Sequence, residues 1–314
     1  MGKGKRLGTN GLTMKEMAAL TGGIALFLLF QAFVVGLTAA HVLMAAAFYV
    51  LFIAHPSSRK LAIALIPFIL FAVTYDWMRL YPNYKVNAID IRGLHDADAA
   101  LFGIMHDGAA IPLSEYFWTH HWPIPDLLAG FFYLCWVPVP VAFALWLYLK
   151  GNKRMFLHFS LVFLFCNWLG FVGYYIHPAA PPWYVINYGY EAVLSTPGNV
   201  AGLAHFDSLT GLGVFHAIYV NNSNVFAAVP SLHAAYMLLT TCYAVKSRQP
   251  WGLVVVFAII TLGIWWTSVY TAHHYVIDVL LGIATAIVAI LLFEWGLMRI
   301  PCFRRFVNRY IQRL

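Results

Sequence analysis

The sequence predicts an all-α polytopic membrane protein with about eight transmembrane helices, and three observations carry that reading. The 314 residues are 62% hydrophobic and only 10% charged, with a mean hydropathy of +0.74. Apolar runs of bilayer length, about 20 residues, recur along the chain, which excludes an ordinary soluble globule. The basic residues gather at alternate connections and at both ends, the pattern of a threaded membrane protein.

The elements follow in order. From Met17 to Ala54 no charged residue occurs, a length suited to two helices joined by a turn at Gly36 to Thr38. The basic N-terminus precedes this run without a small-residue cleavage site, so a retained first helix is expected. Arg6 stands where N-myristoylation needs Ser or Thr. After "HPSS" and the Arg59, Lys60 pair, a third span covers Leu61 to about Met78. A polar connection from Arg79 to Pro123 has no bilayer-length run and reads as loops with interfacial helices. A fourth span runs from about Pro125 to Leu149, and "KGNKR" separates it from a fifth, Met155 to about Ile176. The connection 178–230 is too rich in Pro, Gly and Asn to cross a membrane. Spans six (from Ser231), seven (Trp251 to Tyr270) and eight (His273 to Met298) complete the chain. The expected division is an N-terminal transmembrane hairpin, 1–56, followed by a six-helix portion, 57–314.

With the N-terminus in the cytoplasm, all of the 19 Lys and Arg except Arg79, Lys85 and Arg92 fall on the inner side. Both termini are then cytoplasmic, and the connections 79–124 and 178–230 face the periplasm or lumen. The net charge of +7 forms no aromatic-interleaved basic stripe, so nucleic acid is not an expected partner. Cys135, Cys166, Cys242 and Cys302 lack paired or metal-type spacing and read as small hydrophobes.

Chemistry-bearing residues collect near the outer ends of the last three spans. "VPSLHAAY" carries His233 after Pro230 and Ser231, a pair that opens a helix whose free N–H groups favour phosphate. "YTAHHYVID" carries His274 and Asp278, which share one face if four residues apart on a helix, so the carboxylate can hold the imidazole's tautomer. His273 would then point about 100 degrees away and be structural or supporting. Two histidines, one backed by a carboxylate, beside an anion-binding helix start suggest phosphoryl transfer through a phosphohistidine, one ring attacking phosphorus and the other protonating the leaving oxygen. That scheme needs no metal and no cofactor. Asp76 and Asp126 sit at membrane boundaries, where an unpaired carboxylate is costly, and are candidates by position.

These residues resemble the type 2 phosphatidic acid phosphatase superfamily, with signature blocks P-S-G-H and S-R-x(5)-H-x(3)-D. "GNVAGLAHFD" (198–207), "NVFAAVPSLHA" (224–234) and "TSVYTAHHYVIDVLLG" (267–282) are similar in order and spacing to blocks of its fungal-type inositol phosphorylceramide synthase branch, the target of aureobasidin A. Weaker likeness extends to "APPWY", "YDWMR" and "HWPIPD". The resemblance implies a six-helix lipid-phosphatase-like core in spans three to eight, His274 as nucleophile, Asp278 as its orienting partner and His233 as general acid, then base. The chain departs from the superfamily at Leu232, where the motif has Gly, at Ser268, where it has Arg, and in lacking the first block, K-x(6)-R-P. Both substitutions agree with the synthase branch, but the phosphate loses its usual cations. Arg79, one turn beyond Asp76, is the expected substitute, and Ser231 is expected to donate to phosphate.

The function expected from this reading is transfer of a phospho-headgroup, with phosphoinositol favoured, from a glycerophospholipid to a ceramide-like or diacylglycerol-like lipid. A lipid phosphatase using water as acceptor is the alternative within enzymes. A lipid transporter or scaffold is the alternative outside them, disfavoured because no charge lies mid-span. Membrane lipids are the expected partners; the sequence discloses no obligate protein partner.

Overall fold

A computed structural model describes residues 6–7, 11–194, 196–219 and 224–314; Lys3 and Lys5 of the basic N-terminus lie outside them. Sixteen α-helices dominate these residues, with two short antiparallel hairpins at 6–7/12–13 and 104–106/109–111. The chain is an all-α polytopic membrane protein.

In chain order the helices are α1 Met14–Phe30, α2 Ala39–Ala54, α3 Pro56–Ala64, α4 Ile66–Trp77, α5 Arg92–Phe102, α6 Leu113–Thr119, α7 Pro123–Leu134, α8 Pro138–Leu149, α9 Lys153–Ile176, α10 Pro182–Tyr188, α11 Ala204–Thr210, α12 Val214–Tyr219, α13 Leu232–Lys246, α14 Trp251–Tyr270, α15 Val276–Leu291 and α16 Pro301–Ile311. Four segments are long and apolar enough to cross a bilayer: Met14–Val35, Lys153–Ile176, Trp251–Tyr270 and Val276–Arg299. Two more are bent pairs, Pro56–Ala64 with Ile66–Leu80 at 45° and Pro123–Leu134 with Pro138–Leu149 at 41°. The bends fall where Pro67, Pro138 and Pro140 remove backbone donors and crowd the preceding turn. The remaining two expected spans are the helices Ala39–Ala54 and Leu232–Lys246, of 16 and 15 residues.

The described chain divides into two compact units, 1–80 with 304–314, and 81–303. In the first, Asp76 accepts from His41 Nε2 at 3.0 Å and pairs with Arg79, while Tyr310 donates to the Ile63 carbonyl. In the second, α13 packs against α9, α14 and α15, and α7 packs against α14 and α11. Tyr236 of α13 donates to the buried Asn167 of α9. Large apolar side chains outside this core, such as Val255, Ile259 and Leu262, remain exposed, as lipid-facing surfaces require.

Two glycines set how closely α13 is approached. A Cβ on Gly282 of α15 would lie 2.1 Å from the Ser231 carbonyl oxygen, and one on Gly170 of α9 would lie 2.6 Å from Leu232. The second contact shows that Gly170 leaves the space Leu232 fills, at the position where the motif has glycine.

Candidate active site

The chain between α14 and α15 does not continue as a helix. Ala272 takes φ +57°, a left-handed conformation uncommon for a residue with a Cβ, and residues 271–275 form a turn. Helix α15 therefore starts at Val276 rather than His273, and the expected 100° separation of the two histidines does not apply. The Ser268 carbonyl accepts from both His273 N–H (3.1 Å) and His274 N–H (2.9 Å). Two connecting segments hold the turn by its backbone: Trp183 N–H donates to the Ala272 carbonyl at 3.0 Å and Gly202 N–H to that of Thr271 at 2.9 Å. "PPWY" and "GNVAGL" thus clamp the histidine turn.

On that frame a chain of hydrogen bonds crosses the site. His274 Nδ1 lies 3.3 Å from Asp278 Oδ2, which also accepts Tyr275 N–H at 2.9 Å. His274 Nε2 lies 2.9 Å from His233 Nδ1, and His233 Nε2 lies 3.0 Å from the Tyr133 hydroxyl. Tyr133 meets the Tyr219 hydroxyl at 2.5 Å. A carboxylate only accepts, which orders the protons: His274 Nδ1–H donates to Asp278, His233 Nδ1–H to the His274 Nε2 lone pair, and Tyr133 O–H to His233 Nε2. His274 and Asp278 are buried, Asp278 completely, and burial pushes the His274 imidazole down to about 3. The ring is neutral, with its nucleophilic lone pair capped by the neighbouring histidine.

Sequence reasoning missed Tyr133 and Tyr219, and it placed His273 outside the chemistry. The His273 ring lies 5.1 Å from that of Tyr133 and 4.8 Å from that of Tyr219. Trp136 completes the wall, 4.4 Å from the His233 ring and stacked on Tyr236. Asp98 of α5 lies beneath the same turn. It is fully buried and accepts Ile277 N–H at 3.0 Å, pinning the first turn of α15. Burial lifts its carboxyl to about 6, opposed by that N–H and reinforced by Asp278.

The other sequence candidates lie as follows. Ser231 is buried and caps α13, its Oγ accepting Ala234 N–H at 3.4 Å while its own N–H donates to the Asp278 carbonyl at 3.0 Å. Ser268, at the motif's arginine position, donates its hydroxyl to the Ile264 carbonyl. Asp76 and Arg79 pair with each other in the N-terminal unit. Lys85 sits over the Tyr81 ring and Arg92 over that of Tyr190. Asp126 joins the start of α7 to the end of α14, accepting from Tyr270 at 2.7 Å and from His121 at 3.1 Å. His205 stacks on His121 at 3.7 Å, and the donor atoms of His121, Asp126 and His205 lie within 4.8 Å of one another.

Residues 94–292, which carry the histidine pair and Asp278, match a family profile described as the PAP2 superfamily, and the chain belongs to that superfamily. It is 54% identical over 298 residues to a phosphoinositol dihydroceramide synthase of Bacteroides thetaiotaomicron, covering 95% of this chain and 98% of that one. It is 34% identical over 122 residues to the inositol phosphorylceramide synthase catalytic subunit of Saccharomyces cerevisiae, covering 38% of this chain and 29% of the relative. It is 27% identical over 235 residues to an inositol phosphorylceramide synthase of Candida albicans, covering 70% and 46%. No solved structure matches the chain.

Proposed function

We propose that this protein is a metal-independent lipid phosphotransferase that moves phosphoinositol from a glycerophospholipid to a ceramide-like acceptor through a phosphohistidine on His274. The observation that carries the reading is the Asp278–His274–His233–Tyr133 hydrogen-bond chain, in a chain similar along nearly its whole length to a phosphoinositol dihydroceramide synthase. The donor's phosphorus enters between the two rings and takes the His274 Nε2 lone pair. His233 Nδ1–H then protonates the departing glycerolipid oxygen, and the Tyr133 proton crosses to Nε2 so that His233 stays neutral. The deficit rests on the short Tyr133–Tyr219 pair. In the second half the acceptor hydroxyl returns its proton through His233 as its oxygen attacks phosphorus, so the cycle is proton neutral. His121, Asp126 and His205 hold headgroup hydroxyls, and Ser231 supports the donor phosphate from the start of the helix that carries His233. Separation of lipid products from labelled donor tests the reading: label appears in a ceramide-containing lipid when acceptor is supplied. Release of free inositol phosphate with no dependence on ceramide would make the protein a hydrolase instead.

The site opens to the periplasm or lumen, with both termini cytoplasmic. An impermeant maleimide is expected to label Glu191→Cys, which is exposed, in intact cells, while the native exposed Cys302 reacts only after permeabilisation. The opposite pattern reverses the orientation.

Activity is expected to survive prolonged dialysis against chelators, since histidine chemistry and helix-end donors carry the reaction. A strict requirement for added divalent metal would overturn this and direct attention to His121, Asp126 and His205.

A further inference from the structure

His273 is buried, 5% exposed, and its hydrogen bonds assign its proton. The Thr271 hydroxyl donates to the Thr267 carbonyl at 2.8 Å, so at its 2.9 Å contact with His273 Nδ1 the threonine oxygen must accept. Nδ1 therefore carries the hydrogen, and Nε2 presents a bare lone pair. That atom is buried and has no hydrogen-bond partner, although the ring stands beside Tyr133 and Tyr219. An unsatisfied buried nitrogen beside a reacting centre is costly unless a ligand completes it.

The site also has an unmet electrostatic need. The family's arginine position is Ser268, occupied in holding its own helix. Among the described residues no Lys or Arg is a hydrogen-bond or charge partner of His233, His273, His274 or Asp278. A phosphodiester anion entering here would meet a deficit of positive charge. We propose that His273 is the phosphate-holding group: when the donor's phosphodiester binds, Nε2 takes one proton from solvent, and the resulting imidazolium donates to a non-bridging oxygen in place of the missing arginine.

The groups facing His273 permit this. Tyr133 of α7 and Tyr219 of α12 are neutral hydroxyls, and His233 and His274 are neutral in the hydrogen-bond chain described above. Burial, followed by the two neighbouring histidines, holds His273 well below its ordinary value in the empty site; a bound anion at hydrogen-bond distance reverses that balance. The imidazolium also faces the tyrosine pair that bears the proton deficit after the first step. The inference rests on the phosphotransferase reading, and the test separates the two.

The probe is sn-glycero-3-phosphoinositol, whose single phosphodiester charge does not titrate near neutrality, added to the full-length protein in lipid nanodiscs. In a His274→Ala background, where no chemistry follows, calorimetry in buffers of differing ionisation enthalpy should show uptake of about one proton per molecule bound at pH 7–8. Adding His273→Gln, which keeps a neutral donor, should abolish that uptake. It should also weaken binding on the order of 10- to 100-fold, the scale of a charge-assisted hydrogen bond. With His274 intact, His273→Ala should slow headgroup labelling and transfer to ceramide by similar factors, because both transition states carry the same phosphoryl oxygens, and added imidazole should restore part of each rate. Unchanged proton uptake in the glutamine variant would overturn the proposal. So would a defect confined to transfer, which would make His273 the acceptor's base. Failure of the wild-type protein to label His274 would instead remove the underlying reading.

Discussion

His274→Ala is expected to abolish both formation of the headgroup intermediate and donor exchange. His233 cannot take the nucleophile's part, because its Nδ1 hydrogen faces His274 and its Nε2 is closed by Tyr133. The check is to mix enzyme with headgroup-labelled donor, denature in alkali, where a phosphohistidine outlasts an acyl phosphate, and map the label. It should sit on His274 in the wild type and be absent from the variant. Label on His233 or Asp278, or continued turnover by His274→Ala, would defeat the assignment. Asp278→Asn should fold, because Tyr275 N–H can donate to an amide oxygen as to a carboxylate. It should lose on the order of 1,000-fold in rate, since an amide oxygen still accepts the Nδ1–H but no longer offsets the positive charge that attack places on the ring.

The second large effect concerns the leaving group. His233→Ala should slow release of the glycerolipid alkoxide on the order of 100- to 10,000-fold, the usual scale for lost acid catalysis. The specific prediction is that this penalty shrinks with the basicity of the leaving oxygen. A nitrophenyl ester of phosphoinositol leaves without protonation, so His233→Ala should process it at nearly the wild-type rate. Equal impairment on both donors would mean that His233 positions the nucleophile and is not its acid partner. Tyr133→Phe should follow the same trend more weakly, because it removes the proton supply behind His233 but not the acid itself.

Much of this site was legible in the sequence because its central parts are local. His274 and Asp278 are four residues apart, and Ser231 and His233 mark a helix start, so spacing sufficed. The membrane class was equally plain, since bilayer-length apolar runs leave few alternatives. The 100° angle between His273 and His274 failed because it assumed an unbroken helix, whereas a left-handed Ala272 breaks it; no residue type at that position announces such a conformation. Tyr133 and Tyr219 lie 86 residues apart and are two of 18 tyrosines, so only tertiary packing distinguishes them. A hydroxyl inside "FFYLCW" was the available signal, weak by itself because a tyrosine ring packs as well as it bonds. The third and fourth spans were read as continuous, and the bends at Pro67 and at Pro138 and Pro140 emerge only in the structure.

The Ser268 carbonyl, which receives the backbone N–H of both His273 and His274, makes position 268 a pivot in which the peptide counts for more than the side chain. Thermal motion or mutation that shifts this oxygen carries both imidazoles along together, so errors in their placement are correlated and the spacing between attack and anion support is preserved. The same geometry leaves side-chain identity open at 268: a lineage can exchange a long cation for a hydroxyl there without moving the nucleophile. Reintroducing arginine would be a poor repair, since its guanidinium would start from a fully enclosed hydroxyl's place against the Ile264 carbonyl.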